Sequence, residues 1–171
     1  MIDISKSESI QGWMSHAELT WLAQQASNHD LIIEVGSFLG RSTRALGDHA
    51  KGKVIAIDTW TGPVGANERE ELPSFFGQFQ DNLFDLIVTE KVIPYKSTDV
   101  LAFREVNFVF IDADHQYAGV KKDIEYWLPR VAKGGIISGH DYSYPDVRRA
   151  VNESLKVVIQ PLGTDIWYSH V

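Results

Sequence analysis

The sequence predicts an α/β fold: a mostly parallel sheet with helices on both faces. Three observations predict it. Short apolar runs alternate with segments of helical periodicity along most of the chain, as a parallel sheet with crossover helices requires. The run Leu31–Val35 passes through a glycine turn, Gly36 to Gly40, straight into a helical segment. The last two apolar runs flank Pro161-Leu162-Gly163, the pattern of a closing hairpin with one antiparallel strand. A length of 171 residues suits one domain spanning 1–171, and no repeat, low-complexity tract or composition shift divides it.

The elements follow in order. Ser15 and Glu18 have capping-box spacing, and Leu19, Leu22, Ala23 and Ala26 recur at helical intervals. They predict a helix from about His16 to Ser27 inside an N-terminal helical segment, 1–30. Leu31–Val35 is the first strand, Arg41–His49 a helix, and Val54–Ile57 a second strand ending at Asp58. Thr61–Glu71 is polar, with Gly62, Pro63 and Gly65 near its start, and reads as a loop. Phe75, Phe76, Phe79, Leu83 and Ile87 repeat at helical spacing. The stripe reads as a helix packed on the sheet, and the whole stretch 59–90 is expected to flank an acceptor site. Val92–Tyr95 is a third strand, and Pro94 assigns it to the sheet edge. Phe108–Ile111 is apolar throughout, as a strand buried on both faces would be. Tyr117, Val120, Ile124, Trp127, Leu128 and Val131 make an amphipathic helix, which Gly134-Gly135 is expected to stop before a strand over Ile136–Gly139. A helix over Asp146–Ser154 and two short strands, Val157–Gln160 and Ile166–Ser169, complete the chain.

Composition excludes several function classes. The net charge is −7 and the basic residues are scattered, which argues against nucleic acid as partner. There is no Cys, so disulfides, thiolate metal sites and a Cys nucleophile are ruled out. The N-terminus lacks the plan of a signal peptide, and no apolar run approaches the roughly 20 residues of a membrane span. A cytoplasmic protein without a membrane partner is the expectation.

Chemistry concentrates at the carboxyl ends of the strands, where open α/β sheets bind ligands. Those ends carry Glu34, Asp58, Asp112 and His140-Asp141. Gly36 and Gly40 free the backbone to turn close to a ligand. A dinucleotide turn would read Gly-x-Gly-x-x-Gly, but here Phe38 stands at the middle glycine, which disfavours a pyrophosphate. Glu34 would repel a pyrophosphate too, and suits a ligand carrying positive charge, as S-adenosylmethionine does. Asp58 follows the turn at the spacing of an acid that binds the two ribose hydroxyls of a nucleoside.

These residues resemble a known family. Glu34-x-Gly36-Ser37-x-x-Gly40-x-Ser42-Thr43, Ile57-Asp58 and Phe110-Ile111-Asp112-x-Asp114-His115-x-Tyr117 are similar to the class I S-adenosylmethionine-dependent methyltransferases. The stretch from Val120 to Pro129 and the run Gly134-Gly135-x-Ile137-x-Gly139-His140-Asp141-Tyr142 resemble the branch known as methyltransferase family 24, near the small-molecule O-methyltransferases. The resemblance covers about Gly12 to Tyr142. It implies a Rossmann-like three-layer α/β/α sandwich with seven strands in the order 3-2-1-4-5-7-6. It also implies that Glu34 and the turn Gly36, Ser37, Phe38 and Gly40 face the methionine end of the cofactor, with Ser42 among the cofactor-binding residues. Asp58 would hold the ribose, with Thr59, Trp60 and Ser97 around the adenine. Asp112 would stand near the methyl-transfer point.

Two accounts of the acceptor side stay open. Related metal-dependent O-methyltransferases hold a divalent ion at the ends of the fourth and fifth strands, and Asp112, His140 and Asp141 would be the ligands here. His140 stands where that subgroup has an aspartate, a departure that weighs against a metal. Without one, His115 or His140 is the natural general base, beside Asp112. The function expected is methyl transfer to a small molecule, at oxygen. The alternatives are a binding protein of the same fold without efficient transfer and, less favoured by the glycine turn, an NAD-dependent oxidoreductase. The short chain also leaves room for a second subunit, a homo-oligomer included, to complete the acceptor pocket.

Overall fold

The computed structural model describes residues 2–61, 75–97 and 102–171. In chain order, the strands are β1 Leu31–Val35, β2 Lys53–Asp58, β3 Val92–Lys96, β4 Val106–Ile111, β5 Val131–Gly139 and β6 Trp167–His170. The helices are α1 Ser5–Ser9, α2 His16–Ala26, α3 Arg41–His49, α4 Phe75–Asn82, α5 Phe84–Val88, α6 Tyr117–Trp127 and α7 Pro145–Ser154. The sheet order is β3-β2-β1-β4-β5-β6, parallel except for the antiparallel pairing of β5 with β6.

Successive side chains on a strand point to opposite faces, and the core divides accordingly. Ile32, Val54, Ala56, Phe108 and Phe110 join one apolar cluster with α2 to α5 and with Ile4 and Ile10, which flank α1. Ile33, Ile55, Ile57, Val109 and Ile111 join the other, under α6 and α7. That is the three-layer sandwich, and it explains why the inner strands read as continuous apolar runs. No helix among the described residues is long and apolar enough to cross a membrane.

Three details depart from the sequence reading. The described residues form six strands, not seven. Val157–Gln160 contributes only an isolated bridge, Ile159 to Tyr168. It lies outside β6 at the sheet margin, where Val157 and Ile159 are 62% and 39% exposed and little burial holds a ladder together. The amphipathic helix ends at Trp127 rather than at Gly134. A 3-10 turn over Leu128–Arg130 contains Pro129, which cannot donate to a continuing helix, and Val131 already belongs to β5. The aromatic stripe after residue 74 breaks into α4 and α5, with Phe79 and Leu83 buried against the sheet. Of the predicted loop Thr61–Glu71, all but Thr61 lies outside the described residues.

β3 is at the edge, as Pro94 requires. The strand order reverses between β1 and β4, and this opens a crevice at their carboxyl ends.

Candidate active site

The turn after β1 is built by backbone geometry. Gly36 adopts φ 93, and a Cβ added there would lie 2.0 Å from the carbonyl oxygen of Asp112. Only a glycine lets the turn lie against the end of β4. Phe38 also has positive φ, at 46, as do Trp60 (51) and Asp141 (59), and all three line the same cavity. Non-glycine residues hold such conformations only where their surroundings impose them.

Asp58 is one such constraint. Its Oδ2 accepts the backbone N–H of Phe38 at 2.8 Å and its Oδ1 that of Trp60 at 2.7 Å. Thr59 and Ser97 lie beside it on the cavity wall, Ser97 donating its N–H to the Asp58 carbonyl at 2.9 Å. The Trp60 ring touches the cavity but packs mainly on Phe76 and Phe79, with its indole N–H on the Phe38 carbonyl.

Gly36, Ser37, Phe38 and Ser42 line the cavity, while Gly40 caps α3 behind the turn at φ 91. Glu34 is a correction. Expected to face the cofactor, it is fully buried and lies off the cavity wall. Its Oε2 accepts the hydroxyls of Ser37, at 2.7 Å, and Thr43. Burial pushes its carboxyl up to about 7, against the lowering effect of the Ser42, Thr43 and Ser37 hydroxyls. Glu34 shapes the turn from behind.

At the ends of β4 and β5, one ligand atom each from Asp112, His115 and Asp141 converge within 4.8 Å of one another. His115 Nε2 is 2.8 Å from Asp141 and 3.9 Å from Asp112. The carboxylates of Asp112 and Asp141 push the His115 imidazole up to about 10. Tyr144 stacks on the ring, with centroids 5.7 Å apart. Asp114 stays outside this group, one oxygen accepting the Gln116 N–H at 2.9 Å.

His140 is the second correction. It was expected as a metal ligand or general base, but its Nε2 faces Glu18 of α2 at 3.1 Å. Burial would lower its pKa; the carboxylates of Asp141 and Glu18 outweigh burial and raise it to about 10. With Nε2 turned to Glu18, His140 stands outside the group whose ligand atoms converge. His115 takes the place in the converging group that the sequence reading assigned to His140. Asp141 itself is held well below the usual carboxylate range, burial being outweighed by His115 and His140.

A cavity of about 820 Å³ joins these parts. Sequence reasoning missed its N-terminal wall, Gln11–Met14, and its far side at Lys122 and Asp123. Trp13 is 79% exposed and stacks on Phe38 with centroids 5.4 Å apart, and Phe75 packs on Phe38 at 5.3 Å. Arg41 holds this wall in place. Its guanidinium donates to the carbonyls of Ser7, Glu8, Ile10 and Met14. An exposed Trp next to Gly12 in the sequence was the one hint of it. Asp123, partly buried beside Lys122 and Asp114, is pushed up to about 6 by burial.

A family model described as a methyltransferase domain, methyltransferase family 24, matches residues 33–142. That segment runs from β1 to the loop after β5 and includes the glycine turn and the converging carboxylates.

The chain belongs to this methyltransferase family.

The methyltransferase also resembles solved structures. Cofactor-bound Rv0187 from MTB is 18% identical, with a TM-score of 0.70 over 96% of this chain and 85% of that one. An O-methyltransferase from Bacillus cereus in complex with SAH is 17% identical, with a TM-score of 0.68 over 91% and 80%. The O-methyltransferase TomG from Streptomyces achromogenes, involved in tomaymycin synthesis and solved with SAM, is 17% identical, with a TM-score of 0.67 over 91% and 79%. At these identities the likeness establishes the fold. A comparison with curated protein sequences gives no significant match.

Proposed function

We propose that this methyltransferase uses S-adenosylmethionine to methylate a hydroxyl oxygen of a small-molecule acceptor. One observation carries the reading: a single cavity joins the glycine turn, Asp58 and Ser97 to the group Asp112, His115 and Asp141. Its volume of about 820 Å³ leaves room for an acceptor beside the donor. The SAH and SAM complexes of the two O-methyltransferases of similar fold support the cofactor and the oxygen acceptor.

The donor end fits a cationic nucleoside. Asp58 keeps lone pairs for two ribose hydroxyls while its backbone bonds hold it still. Asp112, at the end of β4, brings negative charge beside the turn. A pyrophosphate would meet the Phe38 side chain, and it would find Arg41 already bonded to backbone carbonyls. Both features disfavour NAD. Bound here, S-adenosylmethionine supplies an already activated methyl group, so the protein's task is to align acceptor oxygen, methyl carbon and sulfur.

The acceptor end fits a divalent ion. Two carboxylates and one imidazole suit Mn²⁺, Fe²⁺ or Zn²⁺ better than Mg²⁺. An ion on Asp112, His115 and Asp141 would lower the pKa of the acceptor hydroxyl. His140 holds its Nδ1 towards the Asp141 and Asp112 carboxylates, at 3.4 and 3.9 Å. Tyr144 stacks on one face of His115, whose side chain stays half exposed. The convergence of one ligand atom each from Asp112, His115 and Asp141 within 4.8 Å of one another supports metal activation over a histidine base acting alone.

Calorimetry with S-adenosylmethionine, S-adenosylhomocysteine and NAD tests the donor. Binding of NAD but of neither methionine nucleoside would end this reading. A panel of hydroxylated acceptors with labelled methyl donor, with and without Mn²⁺, then separates an O-methyltransferase from a binding protein of the same fold.

A further inference from the structure

Glu18 lies in α2, outside the segment 33–142 that matches the family, yet its carboxylate reaches His140 on the wall at the acceptor end of the cavity. It is 6% exposed. Its Oε2 accepts the N–H and the hydroxyl of Ser15 at 2.7 and 2.8 Å, closing the capping box of α2. That box uses one carboxylate oxygen. The other, Oε1, turns away from the helix. It accepts from His140 Nε2 at 3.1 Å and from the backbone N–H of Asp165 at 2.8 Å, groups 122 and 147 residues distant along the chain.

His140 carries the contact onward. Its Nδ1 faces Asp141 Oδ1 at 3.4 Å and Asp112 Oδ1 at 3.9 Å. An imidazole held at one nitrogen cannot swing the other, so the Glu18 contact aims Nδ1 at the two carboxylates. The loop after β5 is tied down from the C-terminal side as well. Asp165 accepts the Tyr142 N–H on its carbonyl at 3.0 Å. Its carboxylate accepts the N–H and hydroxyl of Ser143 at 2.7 and 2.6 Å. Trp167 donates its indole N–H to the His140 carbonyl at 3.1 Å. Asp141 keeps its left-handed backbone, φ 59, inside this bracing.

We propose that Glu18 is a positioning residue of the acceptor centre: through His140 it sets the orientation of the Asp112 and Asp141 carboxylates, and with Asp165 it braces the loop that carries Asp141 and Tyr144. The proposal rests on the reading of Asp112, His115 and Asp141 as that centre. Removing a group that orients a metal-binding side chain from behind typically costs about 10- to 100-fold in metal affinity.

The test compares the wild-type full chain with Glu18→Gln and Ser15→Ala. Both variants disturb the capping box and are expected to lower the Tm. Calorimetry with Mn²⁺ alone is expected to show a loss of about tenfold or more for Glu18→Gln only, with S-adenosylhomocysteine affinity unchanged. Wild-type Mn²⁺ affinity in folded Glu18→Gln overturns the proposal. An equal loss in Ser15→Ala overturns it too, because the effect would then be helix stability. If the wild type binds no Mn²⁺, the metal reading fails separately. The positioning is then read from the imidazole NMR signals of His115. A change in Glu18→Gln that Ser15→Ala lacks supports it, and unchanged signals overturn it. Should Glu18→Gln not fold, His140→Gln, which leaves the capping box intact, is expected to give the same result in the same measurements.

Discussion

Two acids on neighbouring strands, Glu34 and Asp58, divide the work of holding the turn after β1. Asp58 faces the cavity and holds the N–H groups of Phe38 and Trp60. Asp58→Ala is therefore expected to cost about 1–3 kcal/mol of stability through unpaired amides. It is also expected to weaken S-adenosylhomocysteine about tenfold through the ribose; unchanged affinity by calorimetry would remove Asp58 from the site. Glu34 stands behind the turn, its carboxyl raised from 4.5 to about 7 by burial. Between those values the folded chain holds a proton that the unfolded chain has released. The contribution is fully present below about pH 4.5 and is lost as pH rises through about 7, by up to about 3 kcal/mol. Denaturation at pH 5 and pH 7.5 should show this component in the wild type and its loss in Glu34→Gln. Equal pH dependence in the two would mean that Glu34 ionises normally.

At the scale of elements, the site exists because β1 and β4 end side by side. The Asp112 N–H reaches the Val35 carbonyl at 2.7 Å, and the His140 N–H reaches Ile111 at 3.1 Å. The turn after β1 must then pass over the Asp112 carbonyl, which leaves no room for a side chain at Gly36. Gly36→Ala should cost about 1–3 kcal/mol from overpacking, with added strain at positive φ, and separate the two strand ends. A wild-type Tm in this variant would show that the turn can clear β4. The strand ends were legible in the sequence because each apolar run stops at a polar residue, and Pro94 marked the edge strand for the same local reason. The stop of α6 was misread, because Val131 continues the helical spacing while its backbone pairs with Val106 in the sheet.

The whole molecule closes the cavity from both chain ends. The N-terminal segment, pinned by Arg41, lays Trp13 over Phe38, and the C-terminal strand braces the loop after β5. Trp13 is largely exposed, so Trp13→Ala should change stability by no more than about 0.5 kcal/mol. If this wall shapes the site, the variant loses about two- to tenfold in S-adenosylhomocysteine affinity. Wild-type affinity would detach the segment from the function. For the protein as a unit, S-adenosylhomocysteine at a hundred times its Kd should add about 2.7 kcal/mol of stability, read as a rise in Tm. An unmoved Tm counts against the donor site.

The sequence by itself determined the layered α/β architecture, the crevice end of the sheet, and the glycine turn there, in which Phe38 stands where a dinucleotide turn has its middle glycine. These follow from periodicity, strand ends and glycine spacing, which are local properties of the chain. Tertiary structure alone decided that His115 joins Asp112 and Asp141 while His140 turns to Glu18. It alone put Glu34 behind the turn, and made Arg41 and Trp13 part of the cavity wall. Each of these depends on partners brought together by folding, 122 residues apart for Glu18 and His140. Whether an imidazole is free, ligating or protonated is set by such neighbours, and no residue pattern along the chain records them.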